Sequence, residues 1–483
     1  MGTIAKNKVW LGLLLIVLSI PFLALGYVRS ESGLVHAFDT GLYLQLLDNL
    51  VHGRGWTSSV ANQPFFLAYH FQPILALLIP VYLMLPTAFA LLLASWVCIC
   101  IAVWIVIYGM PRLSLGSPYS AAAMGLALFL HPVVTGRMFY SFVPEVMALP
   151  ALCFLAVMLA KHKLLLWEKV AIVLSLLFLC CTKETLWLTS AWCALLFALR
   201  FRKDLAFSLS SHAMLFGALA LVFIGGFTYL WFFWMPAWSA HEPTGALGKI
   251  FSESNLTSLL SLFLLTPIFL LGDIWVAAGA LPAVIVMLAA GDAHGLTNHD
   301  LIAALPFLAV AGVSGLDSLK TRSAHPTAYS YGILLTLLIP TATTFMHGSG
   351  FIYQAMVASE RADLGLRAET EKIKKGLTDD DFILTDGSLQ PFFAEYPKVK
   401  VILGYQGHPT QVKAEDLTKV THVITANDLE DLVECQDIKP APGETSTFDY
   451  VGFYRYCDWL QDSEVEKKVI IPTRLIDIKI VQP

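Results

Sequence analysis

The chain has 483 residues, 57% of them hydrophobic and 14% charged, a composition too apolar for an ordinary soluble protein of this length and typical of a membrane protein. Charge is unevenly divided: residues 1–346 carry 16 Lys and Arg against 13 Asp and Glu, and the last 137 carry 15 against 23. The net charge of −5, concentrated in the tail, excludes nucleic acid as a partner, because phosphate-backbone binding needs clustered basic surface.

Lys6 and Lys8 precede an apolar run from Val9 to Val28, long enough to cross a bilayer as a helix. It exceeds the apolar region of a cleaved signal peptide and reads as an anchor, with its lysines holding the N-terminus in the cytoplasm. The segment 29–73 follows. Within it Leu42, Leu46, Leu47, Leu50 and Val51 recur at helical spacing, which predicts an amphipathic helix lying on the membrane surface. Asp39 stands at its start, either as an N-cap or as a carboxylate facing a cavity. Gly53-Arg54-Gly55 ends the helix, and Arg54 is either solvated or set against a lipid phosphate.

Tyr69-His70-Phe71-Gln72-Pro73 closes this segment; a histidine among aromatics at a membrane boundary is an interfacial anchor or a polar contributor to a site. The next apolar run, Ile74–Leu85, is short and framed by Pro73, Pro80 and Pro86, as in an interfacial or re-entrant helix. Ten further runs lie near 88–109, 119–133, 144–160, 167–182, 184–199, 205–234, 257–271, 274–290, 300–316 and 329–346. With the first they give about eleven crossings. If Ile74–Leu85 does not cross, Arg112, Lys161, Lys163, Arg200, Arg202, Lys203, Lys320 and Arg322 all fall on the cytoplasmic side, as the positive-inside rule requires. The tail then emerges outside.

The same threading leaves Asp39, His70, Arg137, Glu145, Lys183, Glu184, Glu242, Asp292 and His299 in or beside external segments. The sharpest anomaly is Lys183-Glu184, set between two apolar runs with almost no loop to hydrate it. Ionisable groups there are costly unless paired or functional. They are an ion pair marking a tight turn or a cationic hand for a phosphate. Glu145 follows Pro144 in a first helical turn, where its role is dipolar or catalytic. No HExxH, Walker A, GxGxxG or GxSxG pattern occurs, so zinc-peptidase, ATP, dinucleotide and serine-hydrolase chemistry lack support. Six cysteines lie in apolar runs and read as packing residues; Cys435 and Cys457 are the pair in the polar tail, either bridged or two separate thiols.

Taken in order, Phe38-Asp39-Thr-Gly-Leu42, Asn49-Leu-Val-His-Gly-Arg54-Gly55, His70-Phe-Gln-Pro73, Phe142-Val-Pro-Glu145, Lys183-Glu184, and His299 with Leu305-Pro306-Phe307 resemble a family of bacterial predicted membrane proteins grouped with the GT-C glycosyltransferases. The resemblance spans most of the chain and rests on the ordered set. It implies a GT-C-like polytopic helical protein of the bacterial cytoplasmic membrane. It further implies that a sugar moves from a polyprenyl-phosphate donor to a lipid or glycan acceptor on the extracytoplasmic face. Asp39 and Glu145 become the catalytic candidates, Asp39 as general base or ligand of a divalent metal. His70, Arg137, Lys183, Glu184, His299 and Arg54 become the phosphate- and substrate-binding candidates. This chain has Val143 where the family pattern often has histidine, so a His-dependent step at that position is not expected.

From about Gly348 the composition is that of a soluble domain, so the expected division is a transmembrane domain, 1–347, and an extracytoplasmic α/β domain, 348–483. Phe382–Thr385, Val399–Leu403 and His422–Thr425 read as strands, and Ser359–Gly376 and Asp428–Glu434 as helices. The competing functions are a transporter or lipid-translocating protein, and a non-catalytic scaffold. Transporters commonly carry internal repeats and midplane charges; no repeat is evident here, and the charges gather towards one face.

Overall fold

The computed structural model describes residues 2–35, 40–61, 65–201, 212–235, 267–290, 299–322, 327–346, 350–401, 414–426, 465–469 and 475–480. Contacts divide the chain into two compact units. The first comprises Met1–Leu23, His70–Leu75 and Leu93–Met356, and the second Ala24–Tyr69, Ala76–Leu92 and Val357–Pro483. The contacts divide between Met356 and Val357, close to the compositional change near Gly348, and the C-terminal segment shares its unit with Ala24–Tyr69 and Ala76–Leu92.

The first unit is helical. Five described helices are long and apolar enough to cross a membrane by length and composition, or six if Pro118–Phe129 and Pro132–Phe139, bent by 53°, form one span. Pro73–Met84, Pro144–Ala160, Leu186–Arg200 and Ile274–Val286 are shorter apolar helices. Eleven expected runs thus meet fewer long helices, in part because 205–211 and 257–266 lie outside the described residues.

Prolines set several helix starts. Ser117, His131 and Val143 precede Pro118, Pro132 and Pro144 and are held extended, as the residue before proline must be, while proline itself suits the first turn. Close packing depends on missing side chains: a Cβ on Gly272 would lie 2.0 Å from the Ala311 carbonyl oxygen, and one on Gly315 2.2 Å from that of Ile268. Only glycine lets these backbones approach. Phe22 packs with Phe129, Phe139, Phe345 and Phe351 at centroid distances of 5.2–6.3 Å.

The second unit holds a five-stranded sheet, β1 (Ile383–Thr385), β2 (Val399–Val401), β3 (His422–Ala426), β4 (Val465–Val469) and β5 (Leu475–Ile480), in the order β2-β1-β3-β5-β4. β1 is parallel to β2 and β3, while β5 is antiparallel to β3 and β4. The expected helix over 359–376 is two helices, Phe351–Arg361 and Leu366–Lys374, with Asp363 accepting from the Gly365 N–H at the break. The expected helix at 428–434 and both tail cysteines lie outside the described residues.

The Leu42–Val51 helix forms as expected but is buried on both faces, with Gln45, Asp48 and Asn49 enclosed as well as its leucines. This corrects the surface-lying expectation. The polar face is covered: Gln45 donates to Ser59 Oγ (2.7 Å) and the Tyr396 carbonyl (3.2 Å), and Tyr82 Oη donates to Asp48 (2.8 Å). A polar stripe that pairs inside protein needs no headgroup region to receive it.

Candidate functional site

The helices of the first unit run between two ends. Ala160, Lys161, Arg200 and Asp273 meet at one of them: Arg200 forms a two-pronged pair with Asp273 (2.8 and 3.0 Å) and donates to the carbonyls of Ala160 and Lys161. Asp317 accepts from the Ser117 N–H and Ser120 hydroxyl (2.8 and 2.6 Å), and Lys320 stands over the Tyr329 ring. Helices leaving these residues reach a second end that carries Glu145, Lys183, Glu184 and His299.

At that second end the Leu166–Thr182 helix stops and Leu186–Arg200 begins, leaving three residues for the reversal. Lys183 is extended, and the turn is closed by Leu186 N–H to the Lys183 carbonyl (3.1 Å) and by Trp187 Nε1 to the Cys180 carbonyl (2.8 Å). This geometry turns the neighbouring side chains to different partners. Lys183 Nζ donates to Glu145 Oε1, in the Pro144–Ala148 turn. Glu184 receives His70 Nδ1 on one oxygen (3.0 Å) and the Phe71 N–H on the other (3.1 Å). Phe71 lies edge-on to Trp187, 6.2 Å between centroids.

Glu145 and Glu184 are buried, at 4% and 2% exposure, while the His70 side chain keeps 30%. Burial alone would push the Glu184 carboxyl up; the His70 ring and Lys183 ammonium outweigh it and hold the group below its ordinary 4.5. The carboxylate therefore stays ionised at neutral pH.

Other expected residues fall into three groups. The His299–Ala303 turn packs on the Pro144–Ala148 turn and on the Pro132–Phe139 helix that carries Arg137. Arg137 is buried, donating to the Val133 carbonyl (3.3 Å) and Ser141 Oγ (2.8 Å). Arg54 belongs to the second unit, where it donates to Asp48 (3.0 Å), Asn49 (3.1 Å) and the Glu395 carbonyl (2.9 Å). Its described bonds brace the Leu42–Val51 helix. Asp39, Glu242 and Asp292 lie outside the described residues.

Residue-type reasoning passed over Gln72, which is 1% exposed, and whose buried Oε1 accepts no hydrogen bond. Its place between His70 and Pro73 was the available signal. Asp48 was also passed over, because an aspartate at a polar helix position reads as solvated until its cover is known. Among the described residues no group of three or more His, Cys, Asp or Glu side chains is gathered to hold a metal ion.

The chain matches, over residues 31–431, the family described as "Predicted membrane protein (DUF2079)". It belongs to that family. No curated protein matches it in sequence. Among solved structures it is similar to ArnT from Cupriavidus metallidurans in the apo state, with 11% identity, TM-score 0.56, and 99% of this chain and 98% of that one covered. It is also similar to the same protein bound to undecaprenyl phosphate, with 10% identity, TM-score 0.58, and coverage of 97% and 98%. A third likeness is to the arabinofuranosyltransferase AftD from Mycobacteria, at 14% identity and TM-score 0.51, covering 98% of this chain and 40% of AftD. At such identities the likeness establishes a fold shared with these proteins, and the site must argue function for itself.

Proposed function

We propose that this membrane protein is a glycosyltransferase that takes a sugar from a polyprenyl-phosphate donor and passes it to a lipid or glycan acceptor on the extracytoplasmic face. The observation that carries the reading is the Glu145–Lys183 and His70–Glu184 constellation at one helix end, in a fold shared with a protein solved bound to undecaprenyl phosphate. Buried ionisable groups in apolar helix ends are costly, and the Lys183 ammonium and His70 imidazole held there by carboxylates are donors of the kind that phosphate oxygens accept from.

In this reading an acceptor hydroxyl attacks the anomeric carbon, the bond from that carbon to the phosphate oxygen breaks, and the carrier leaves as a polyprenyl phosphate. Asp39 takes the acceptor proton. Lys183, released from Glu145 towards the phosphate, offsets the charge on the leaving oxygens, aided by His70, Arg137 and His299. Glu145 and Glu184 hold Lys183 and His70 in place before the donor arrives. A divalent metal would be held by Asp39, and no step above is routed through it.

The proposal includes about eleven crossings, a cytoplasmic N-terminus and an external tail. It is supported by Lys161, Arg200 and Lys320 gathering at the end of the first unit opposite Glu145 and Lys183, as the positive-inside rule requires. The deciding experiment is mass spectrometry of lipid-linked sugars and envelope polymers in a deletion strain, complemented with wild type or Asp39→Asn. One polyprenyl-phosphate sugar should accumulate in the deletion and in the Asp39→Asn strain, and clear with wild type. Full clearance by Asp39→Asn would remove that carboxylate from the mechanism, and an unchanged lipid pool in the deletion would refute the function.

A further inference from the structure

In the second unit the chain order reverses at β1: β2 lies on one side of it and β3 on the other, all three parallel. Open α/β sheets bind their ligands beyond the carboxyl ends of strands at such a point. After β1, Asp386 accepts from the N–H groups of Ser388 (2.7 Å) and Leu389 (2.9 Å), and the short turn Gln390–Phe393 follows. That turn packs on another stretch of the same unit, the chain on either side of residues 36–39.

Two glycines make the contact. Gly33, at φ +67°, adopts a backbone that few side chains tolerate, and a Cβ there would lie 3.1 Å from the Ser388 carbonyl oxygen and 3.3 Å from Phe392 Cε2. Gly41 has φ −68°, which any residue adopts, so conformation does not call for glycine. Closeness does: a Cβ on Gly41 would lie 1.7 Å from Gln390 Oε1, 2.9 Å from its Cδ and 3.2 Å from Pro391 Cγ. Gln390 is 0% exposed, and its Nε2 stands 3.4 Å from the Gly41 carbonyl, 349 residues away, a length at which packing outweighs the hydrogen bond. Val35 and Thr40, between the two glycines, are buried as well. The turn therefore seats the chain both before and after the Asp39 position, and Asp39 is joined directly to Thr40.

We propose that the turn Ser388–Phe393 positions Asp39, and that Gln390 is the positioning residue, acting by filling the space beside the Gly41 Cα. What Asp39 does rests on the glycosyltransferase reading above; the seating of its neighbours does not. A group that takes a proton in the transition state must be held closely, because a misplacement of about 1 Å costs about 10²-fold in rate. Arg54 also meets the tail, at the Glu395 carbonyl, but it braces the opposite end of the Leu42–Val51 helix, so its loss should leave Asp39 in place.

The test pairs Gln390→Ala with Gln390→Met, which keeps the volume and drops the amide, in the full chain in lipid nanodiscs. Hydrogen exchange reads the seating. Transfer is read with the lipid fraction that accumulates in the deletion strain as donor and membranes of that strain as acceptor. Gln390→Ala should speed exchange across residues 33–44 by about tenfold, the scale of one lost buried contact, and leave 183–200 unchanged. It should lower kcat by about 10–100-fold with KM for the donor held. Gln390→Met should restore both quantities to within about threefold of wild type, as refilled space predicts. Unchanged exchange at 33–44 in Gln390→Ala, a raised KM with kcat held, or a loss of kcat in Gln390→Met would each overturn the proposal. A deletion strain that accumulates no donor would refute the transferase reading instead, and exchange in the two variants would still decide the seating.

Discussion

In the first unit, Lys183 is set against Glu145 and His70 against Glu184, side chain to side chain. In the second, Arg54, Gln45 and Ser59 each give one donor to a main-chain carbonyl, of Glu395, Tyr396 and Val399, while Arg54 also pairs with Asp48, which Tyr82 holds as well. The kind of partner separates their roles. A bond to a carbonyl hundreds of residues away ties a side chain to a distant stretch of backbone and changes only if that backbone moves, whereas a cation held by one side-chain carboxylate can trade it for a phosphate. The bond from Arg54 to the Glu395 carbonyl, 341 residues away, assigns Arg54 to architecture and leaves Lys183 to chemistry, although both were sequence candidates for the same phosphate.

The largest expected effect breaks the comparison most directly. Lys183→Met should abolish measurable transfer and, by leaving Glu145 buried without its cation, lower stability by about 3–5 kcal/mol. Adding Glu145→Gln should restore most of the thermal midpoint and none of the transfer. Transfer regained with stability would make the pair a structural clip.

Arg54→Ala should cost about 2–3 kcal/mol, for losing a charged hydrogen bond to buried Asp48, while specific transfer per folded molecule stays close to wild type. Thermal denaturation and an activity assay normalised to folded protein read both quantities. A selective loss of transfer would return Arg54 to the substrate site.

The Glu184 carboxyl sits below its ordinary 4.5, so the folded state binds fewer protons there than the unfolded chain. Its contribution to stability is fully present above that ordinary value and is lost as pH falls through the lowered folded value. Thermal midpoints of wild type should therefore drop across the acid range below 4.5, and Glu184→Gln should show a flatter profile. Equal slopes would mean that His70 and Lys183 do not set the charge of this group. The smallest effect is expected of Tyr82→Phe, which removes one bond to Asp48 and should cost about 1 kcal/mol without altering transfer.

Much of this was legible in order along the chain. The prolines at 118, 132 and 144 mark helix starts, because the pyrrolidine ring constrains the residue before it. The short run framed by Pro73 and Pro86 is a short helix, Pro73–Met84. Lys183-Glu184 stood out because two charges between apolar runs have no cheap local solution. The strands β4 and β5 were missed although Leu475–Ile480 alternates Ile476, Ile478 and Ile480 with Asp477 and Lys479, a period-two signal that length and charge obscured. The burial of the Leu42–Val51 helix was not readable: its polar stripe is the same whether it meets headgroups or Tyr396 and Arg54, and only the fold supplies the second choice.

The sequence by itself determined a membrane protein with basic helix ends, a polar tail and costly charges at defined turns, since hydropathy and charge act locally and need no partner. The tertiary structure decided which charge meets which. Glu145 and Lys183 are 38 residues apart, and Arg54 and the Glu395 carbonyl are 341 apart. Pairings at such separations follow from how helices and strands pack, because an ion pair or hydrogen bond acts over a few ångströms and carries no mark in the sequence of either partner.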